Sequence, residues 1–198
     1  MIINKHFILI IISFFFLGRC NNPKNDNKME NTKVSITKSL YGITKDNRKV
    51  DLYSFKTENG MEVDIINYGG IITSLKVPDK TGEIKDIVLG YNKLEDYVNE
   101  NPYFGSIVGR YGNRIAKGKF NLNGNEYTLV TNNDENHLHG GNIGFDKAIW
   151  EAETKIHSNS SSLILKYLSK DMEEGYPGNL NTTVTYEIKN DNSIEITY

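Results

Sequence analysis

The chain has 198 residues, 38% hydrophobic and 24% charged, with a formal net charge of -2; this globular mix is neither collagen-like nor wholly disordered and fits one domain with a terminal appendage. Without a basic excess to neutralise phosphates, nucleic acid is not an expected partner. The single cysteine, Cys20, excludes an intramolecular disulfide and a multi-cysteine zinc site, while twelve tyrosines and eight phenylalanines favour β structure and stacking surfaces.

Residues 1–19 read as a signal peptide. Lys5 supplies a short positive region, and Phe7 to Leu17 form an apolar run broken only by Ser13. Its length, about eleven residues, is that of a signal-peptide core and falls short of the ~20 a membrane-spanning helix needs. The run stops at Leu17-Gly18-Arg19-Cys20. This resembles the bacterial lipoprotein signal, in which the cysteine is acylated and becomes the mature N-terminus, although Arg19 stands where that signal places a small residue. Residues 20–32 follow as a flexible tether: from Asn21 to Thr32 the one apolar residue is Met29, so the segment cannot bury enough surface to offset its ordering entropy. The protein is therefore expected to be exported and tethered through lipid on Cys20, facing the periplasm or the cell exterior. Membrane contact is expected through that N-terminal anchor only.

Residues 33–198 form the folded part, and from Val34 onward the dominant period is two. Met61–Ile65 and Ile72–Val77 alternate apolar and polar residues as half-buried strands do. Only Lys93–Asn99 looks briefly helical. Phe120–Leu129 carries Asn123-Gly124 at its centre, which suits a type I′ turn and predicts a hairpin. Later strands are predicted at Ala148–Thr154, Ser162–Ser169, Thr182–Lys189 and Ser193–Tyr198, the last two joined by the turn-forming Asn190-Asp191-Asn192. Many short strands with closely spaced turn signals predict an all-β sandwich or barrel. The final strand ends on the final residue, which leaves an edge needing a partner. The chain is accordingly expected to stop before its domain does, and its oligomeric state is open.

Three segments are too elaborate for plain sandwich strands. In Pro102–Ile115, Arg110 and Arg114 stand four apart among glycines and tyrosines, which suggests guanidinium forks brought near a concave surface. In Asn136–Gly141, His137 and His139 would share a face if both lay on a strand. A metal needs a third ligand, and His6 in the leader and His157 in a Ser/Asn-rich loop offer none, so no metal is expected. Histidine beside Gly-Gly better suits hydrogen bonding to a small polar substrate. In Glu173–Gly178 two carboxylates are adjacent, but neighbouring residues on a strand face opposite ways, and the spacing predicts a turn rather than an acid–base pair.

These stretches together resemble the aldose 1-epimerase (galactose mutarotase) family. The matching residues are Asn67–Ile72, Val88–Tyr91, Tyr103-Phe104-Gly105 with Gly109–Gly118, Asn136–Gly141 with Gly144–Lys147 and Trp150, and Glu174–Gly178. Their order and spacing follow the family's over roughly residues 38–198. The resemblance implies a β-sandwich of the galactose mutarotase type, truncated at its C-terminus, and interconversion of the α and β anomers of a free aldohexose such as glucose or galactose. It implies no cofactor. The family's sugar-binding Asn-Arg pair and His fall on Asn113, Arg114 and His139, and of these Arg114 and His139 would also stabilise charge on the ring oxygen. The family's general acid His and general base Glu belong to later motifs that residues 33–198 do not contain. Since concerted acid and base help is worth about 10²–10⁴-fold, this chain is expected to be a weak catalyst or inactive. The alternative is a non-catalytic carbohydrate-binding β-sandwich module, for which Tyr103, Phe104, Tyr111 and Trp150 would offer stacking surfaces.

Overall fold

Alternating side chains build two antiparallel sheets whose apolar faces meet. The structure is a computed structural model that describes residues 32–99 and 101–198, so the leader, most of the tether and Cys20 lie outside the described residues. The first sheet is a meander of β1 (Val34–Ile43), β2 (Lys49–Thr57), β3 (Glu62–Ile66), β4 (Ile72–Pro78) and β5 (Ile84–Asp86), hydrogen-bonded in that order. Helix α1 (Leu94–Asn99) follows. Next come β6 (Arg114–Ile115), the hairpin of β7 (Lys119–Leu122) and β8 (Asn125–Thr128), and β9 (His137–Leu138). The second sheet, again a sequential meander, contains β10 (Glu151–Ile156), β11 (Ser160–Ser169), β12 (Leu180–Lys189) and β13 (Ile194–Thr197). The expected all-β sandwich is therefore observed.

Period-two burial is clearest in the central strands. Tyr53, Phe55 and Thr57 of β2 and Val184, Tyr186 and Ile188 of β12 point inward at alternate positions. All of these but Thr57 meet Val63, Ile65, Trp150, Leu163 and Leu165 in one core between the sheets, where each large apolar side chain contributes about 1.5–3 kcal/mol. Two buried hydroxyls link the layers: Ser161 Oγ donates to the Val34 carbonyl at 2.7 Å, and the Tyr186 hydroxyl to the Gly70 carbonyl at 2.8 Å. One end of the outer face of the first sheet is covered by α1, whose Leu94 and Tyr97 pack with Val50, Ile66, Tyr68 and Ile71. Their i, i+3 spacing puts both on one side of that short helix.

Strand boundaries differ from the alternation at one instructive place. The strand expected at Ala148–Thr154 starts only at Glu151, because the preceding residues pair with the first sheet instead. Gly69 N–H donates to Ala148 O at 2.7 Å, Tyr68 and Ile149 form a bridge, and Trp150 N–H donates to Asn67 O at 2.8 Å. The chain thus changes sheets at Trp150, which is 1% exposed in the core and is not available as a stacking surface. The hairpin turn is as expected: Asn123 and Gly124 have φ of 53° and 81°, the paired positive values of a type I′ turn.

Candidate functional site

The segment between the two sheets carries the polar cluster. β6 and β9 pair over only two residues, Arg114 opposite Leu138 and Ile115 opposite His137. This short ladder places Asn113 and His139 side by side at its end. The backbone N–H of Asn113 donates to His139 Nδ1 at 3.0 Å, and the His139 N–H donates to the Asn113 carbonyl at 3.0 Å. Arg114 reaches back over the same end, with Nε donating to Asn133 Oδ1 at 2.8 Å and Nη1 to Asn113 Oδ1 at 3.2 Å. Asn113 and Arg114 are exposed and His139 is half-buried. The three residues named from the sequence therefore stand together on one open surface.

Two features make this surface unusual. Asn113 and His139 both occupy the left-handed region, with φ of 64° and 50°, and so does Tyr103 at 65°, whose ring packs edge-on against the His139 imidazole with centroids 4.6 Å apart. Non-glycine residues in that region cost about 1–3 kcal/mol each and concentrate at functional sites. The second feature is tautomeric. A ring that accepts a backbone N–H at Nδ1 carries its proton on Nε2, so His139 presents an N–H donor to a ligand. Together with the Arg114 fork, the surface offers hydrogen-bond donors suited to hydroxyl and ring oxygens.

The loop behind His139 is held from two sides. Asn132 Nδ2 donates to the carbonyls of Leu138 and Gly141, both at 2.9 Å, while its Oδ1 accepts the Leu138 N–H at 2.7 Å. The Glu174 carboxylate accepts the N–H groups of Asn142 and Ile143 at 2.8 and 3.1 Å. Gly140 has a φ of 91°, and a Cβ there would lie 1.7 Å from the Gly109 carbonyl oxygen; only glycine lets the two segments approach so closely.

Other sequence candidates have structural duties. His137 and His139 do not share a face: the left-handed turn at His139 breaks the alternation. His137 is fully buried, its Nδ1–H donating to Val130 O at 2.7 Å and its Nε2 accepting from the Tyr176 hydroxyl at 2.7 Å. Burial pushes the Tyr176 hydroxyl up to about 12. Arg110, expected beside Arg114 at the concave surface, is instead a clamp. It donates to Ser169 Oγ at 2.7 Å and to the carbonyls of Ser169, Lys170 and Pro177 at 3.0, 2.8 and 3.1 Å, and lies over the Tyr176 ring. Ser169 Oγ in turn donates to Glu173, which also accepts from the Tyr167 hydroxyl at 2.5 Å. Glu173 and Glu174 thus serve different partners within the expected turn. Among the described residues no three His, Cys, Asp or Glu side chains gather into a metal-holding group. The sequence marks Tyr103 as a stacking surface and as part of a matching stretch, but not as a neighbour of His139; that contact depends on a left-handed backbone that no periodicity announces.

Comparison with known proteins gives a consistent result. The family model described as aldose 1-epimerase matches residues 51–198. Galactose mutarotase from Sus scrofa is 43% identical over 156 residues, covering 78% of this chain and 44% of the relative. Aldose 1-epimerase from Escherichia coli (strain K12) is 33% identical over 156 residues, with 79% and 44% covered. The solved structure of galactose 1-epimerase from Lactobacillus acidophilus NCFM superposes with a TM-score of 0.72 at 29% identity, covering 82% of this chain and 47% of that one. The chain spans a little under half the length of the curated relatives it matches.

Proposed function

The chain belongs to the aldose 1-epimerase family, and from that premise we propose that residues 33–198 form the sugar-gripping part of a mutarotase site, with an aldohexose as ligand. Asn113, Arg114 and His139 are the proposed binding residues. The reading rests on one observation: the reciprocal hydrogen bonds between Asn113 and His139, which fix the imidazole as an Nε2–H donor next to the Arg114 guanidinium.

Mutarotation removes a proton from the anomeric hydroxyl while one is delivered to the ring oxygen; the ring C–O bond breaks, the aldehyde rotates, and the ring recloses on its other face. Negative charge grows on the ring oxygen as that bond breaks. Donors already aimed at this oxygen stabilise the charge without reorganising, which lowers the barrier more than it tightens ground-state binding. Arg114 and His139 are proposed to act in this way. The acid and base roles that the resemblance assigns to a further His and a Glu belong to later motifs of the family, so residues 1–198 by themselves are expected to bind sugar better than they convert it.

Polarimetry on freshly dissolved α-galactose tests the catalytic half of the proposal. Slow conversion, close to the buffer rate, is expected, and a large rate that survives both Arg114→Ala and His139→Ala would refute the assigned residues. The leader supports a second, separate proposal, export and acylation at Cys20. Mass spectrometry of membrane-extracted protein would find a lipidated mature N-terminus, and an intact Met1 would refute it.

A further inference from the structure

Asp146 is buried next to the sugar-gripping cluster and has no part in the chemistry described so far. It is 2% exposed. Its Oδ2 meets Lys147 Nζ at 3.2 Å, whereas Oδ1 is buried without a hydrogen-bond partner. Burial drives its carboxyl above the usual range, against the pull of the Lys147 ammonium. An orphaned carboxylate oxygen in the interior is destabilising, and a sequence keeps such a group where a geometry depends on it.

The geometry that depends on it runs outward to the site. Lys147, half-exposed, places its ammonium 5.8 Å from the centroid of the Tyr103 ring, within reach of the attraction between a cation and an aromatic face. The same Tyr103 ring stands edge-on to His139 at 4.6 Å and 61°, a favoured arrangement of ring pairs. Carboxylate, ammonium, phenol ring and imidazole therefore form one row from the core to the cluster. Tyr103 holds a left-handed backbone to take its place in that row, although a bulky residue is rarely found there.

We propose that the Asp146–Lys147 pair is the positioning element of this site. It holds the Tyr103 ring against His139 so that the imidazole keeps Nδ1 on the Asn113 N–H and leaves Nε2–H for the ligand. The role of this pair rests on the reading of His139 as a sugar-binding group; neither residue touches the ligand.

The test uses the full chain labelled with ¹⁵N-histidine, with His139 assigned through His139→Gln. Long-range ¹⁵N–¹H spectra without sugar report the tautomer directly. Wild type is expected to show a single Nε2–H form. Lys147→Met, which keeps the aliphatic stem, is expected to show averaged ring shifts and about fivefold weaker galactose binding, and Lys147→Arg to restore both. Asp146→Asn is expected to disturb the imidazole in the same way while thermal stability holds or rises, a combination that simple destabilisation does not produce. Unaltered His139 spectra in both Lys147→Met and Asp146→Asn would overturn the proposal. Should no form bind galactose, the sugar reading fails, and the ring spectra still decide the positioning claim.

Discussion

Asn113 and His139 exchange two hydrogen bonds, backbone N–H to Nδ1 and N–H back to carbonyl, each 3.0 Å long. The side-chain oxygen of Asn113 meanwhile steadies Arg114. One left-handed residue thus sets the tautomer of its imidazole neighbour and the placement of its guanidinium neighbour. Its side chain and its backbone do separate work, and substitution can separate them.

Asn113→Gly keeps the positive φ but removes the amide, so it is expected to fold with stability within about 0.5 kcal/mol of wild type while weakening sugar binding. Asn113→Ala removes the same amide and adds left-handed strain, and is expected to be less stable than the glycine variant by about 1 kcal/mol. Urea denaturation of both, alongside sugar titration, checks the pair.

The two arginines four residues apart should behave oppositely. Arg110→Ala strands Ser169 and several carbonyls that the guanidinium satisfies, and is expected to lose about 2–4 kcal/mol of stability. Arg114→Ala is exposed and is expected to cost under about 1 kcal/mol yet abolish saturable sugar binding. Denaturation midpoints and calorimetry on the two variants distinguish clamp from ligand.

Much of this organisation is legible in the sequence. Alternation in Met61–Ile65 and Thr182–Lys189, together with Asn123-Gly124, announces strands and a hairpin because side-chain burial and turn sterics are local. Motif order singles out Asn113, Arg114 and His139, and the fold brings the three side by side. The division of labour between Arg110 and Arg114 was not legible: it depends on Ser169, Lys170 and Pro177 arriving from about sixty residues away. A shared face for His137 and His139 requires both to lie on one strand, and it is absent for a related reason. A single left-handed residue ends the period-two rule, and the rule itself gives no warning of it.

The buried Tyr176–His137 bond makes a stability prediction with a definite sign. Tyr176→Phe leaves His137 Nε2 without its donor and is expected to cost about 1–3 kcal/mol. The folded-state value of Tyr176, about 12, lies above the ordinary tyrosine value, so the folded chain holds the phenolic proton more tightly than the unfolded one. Tyr41, Tyr68 and Tyr167, also raised to about 12 by burial, add to the effect. Stability from these groups is whole below about pH 10 and is lost as pH rises toward 12. Thermal melts from pH 8 to 12 should be flat and then fall, with a shallower fall in Tyr176→Phe.

Gly140→Ala tests the close approach behind His139. Its new methyl would collide with the Gly109 carbonyl, and the expected loss is about 2–4 kcal/mol. Gly124→Ala, where a Cβ meets nothing, is expected to lose only the φ penalty, about 1 kcal/mol. Melting temperatures of the two variants rank the sites.

Galactose titration of the ¹⁵N-labelled full chain probes the proposed sugar grip most directly. Saturable shifts confined to Asn113, Arg114, His139 and their neighbours, lost in Arg114→Ala and in His139→Ala while both variants stay folded, are the predicted result. Saturable shifts elsewhere on the sandwich, or binding that persists in both variants, would contradict it.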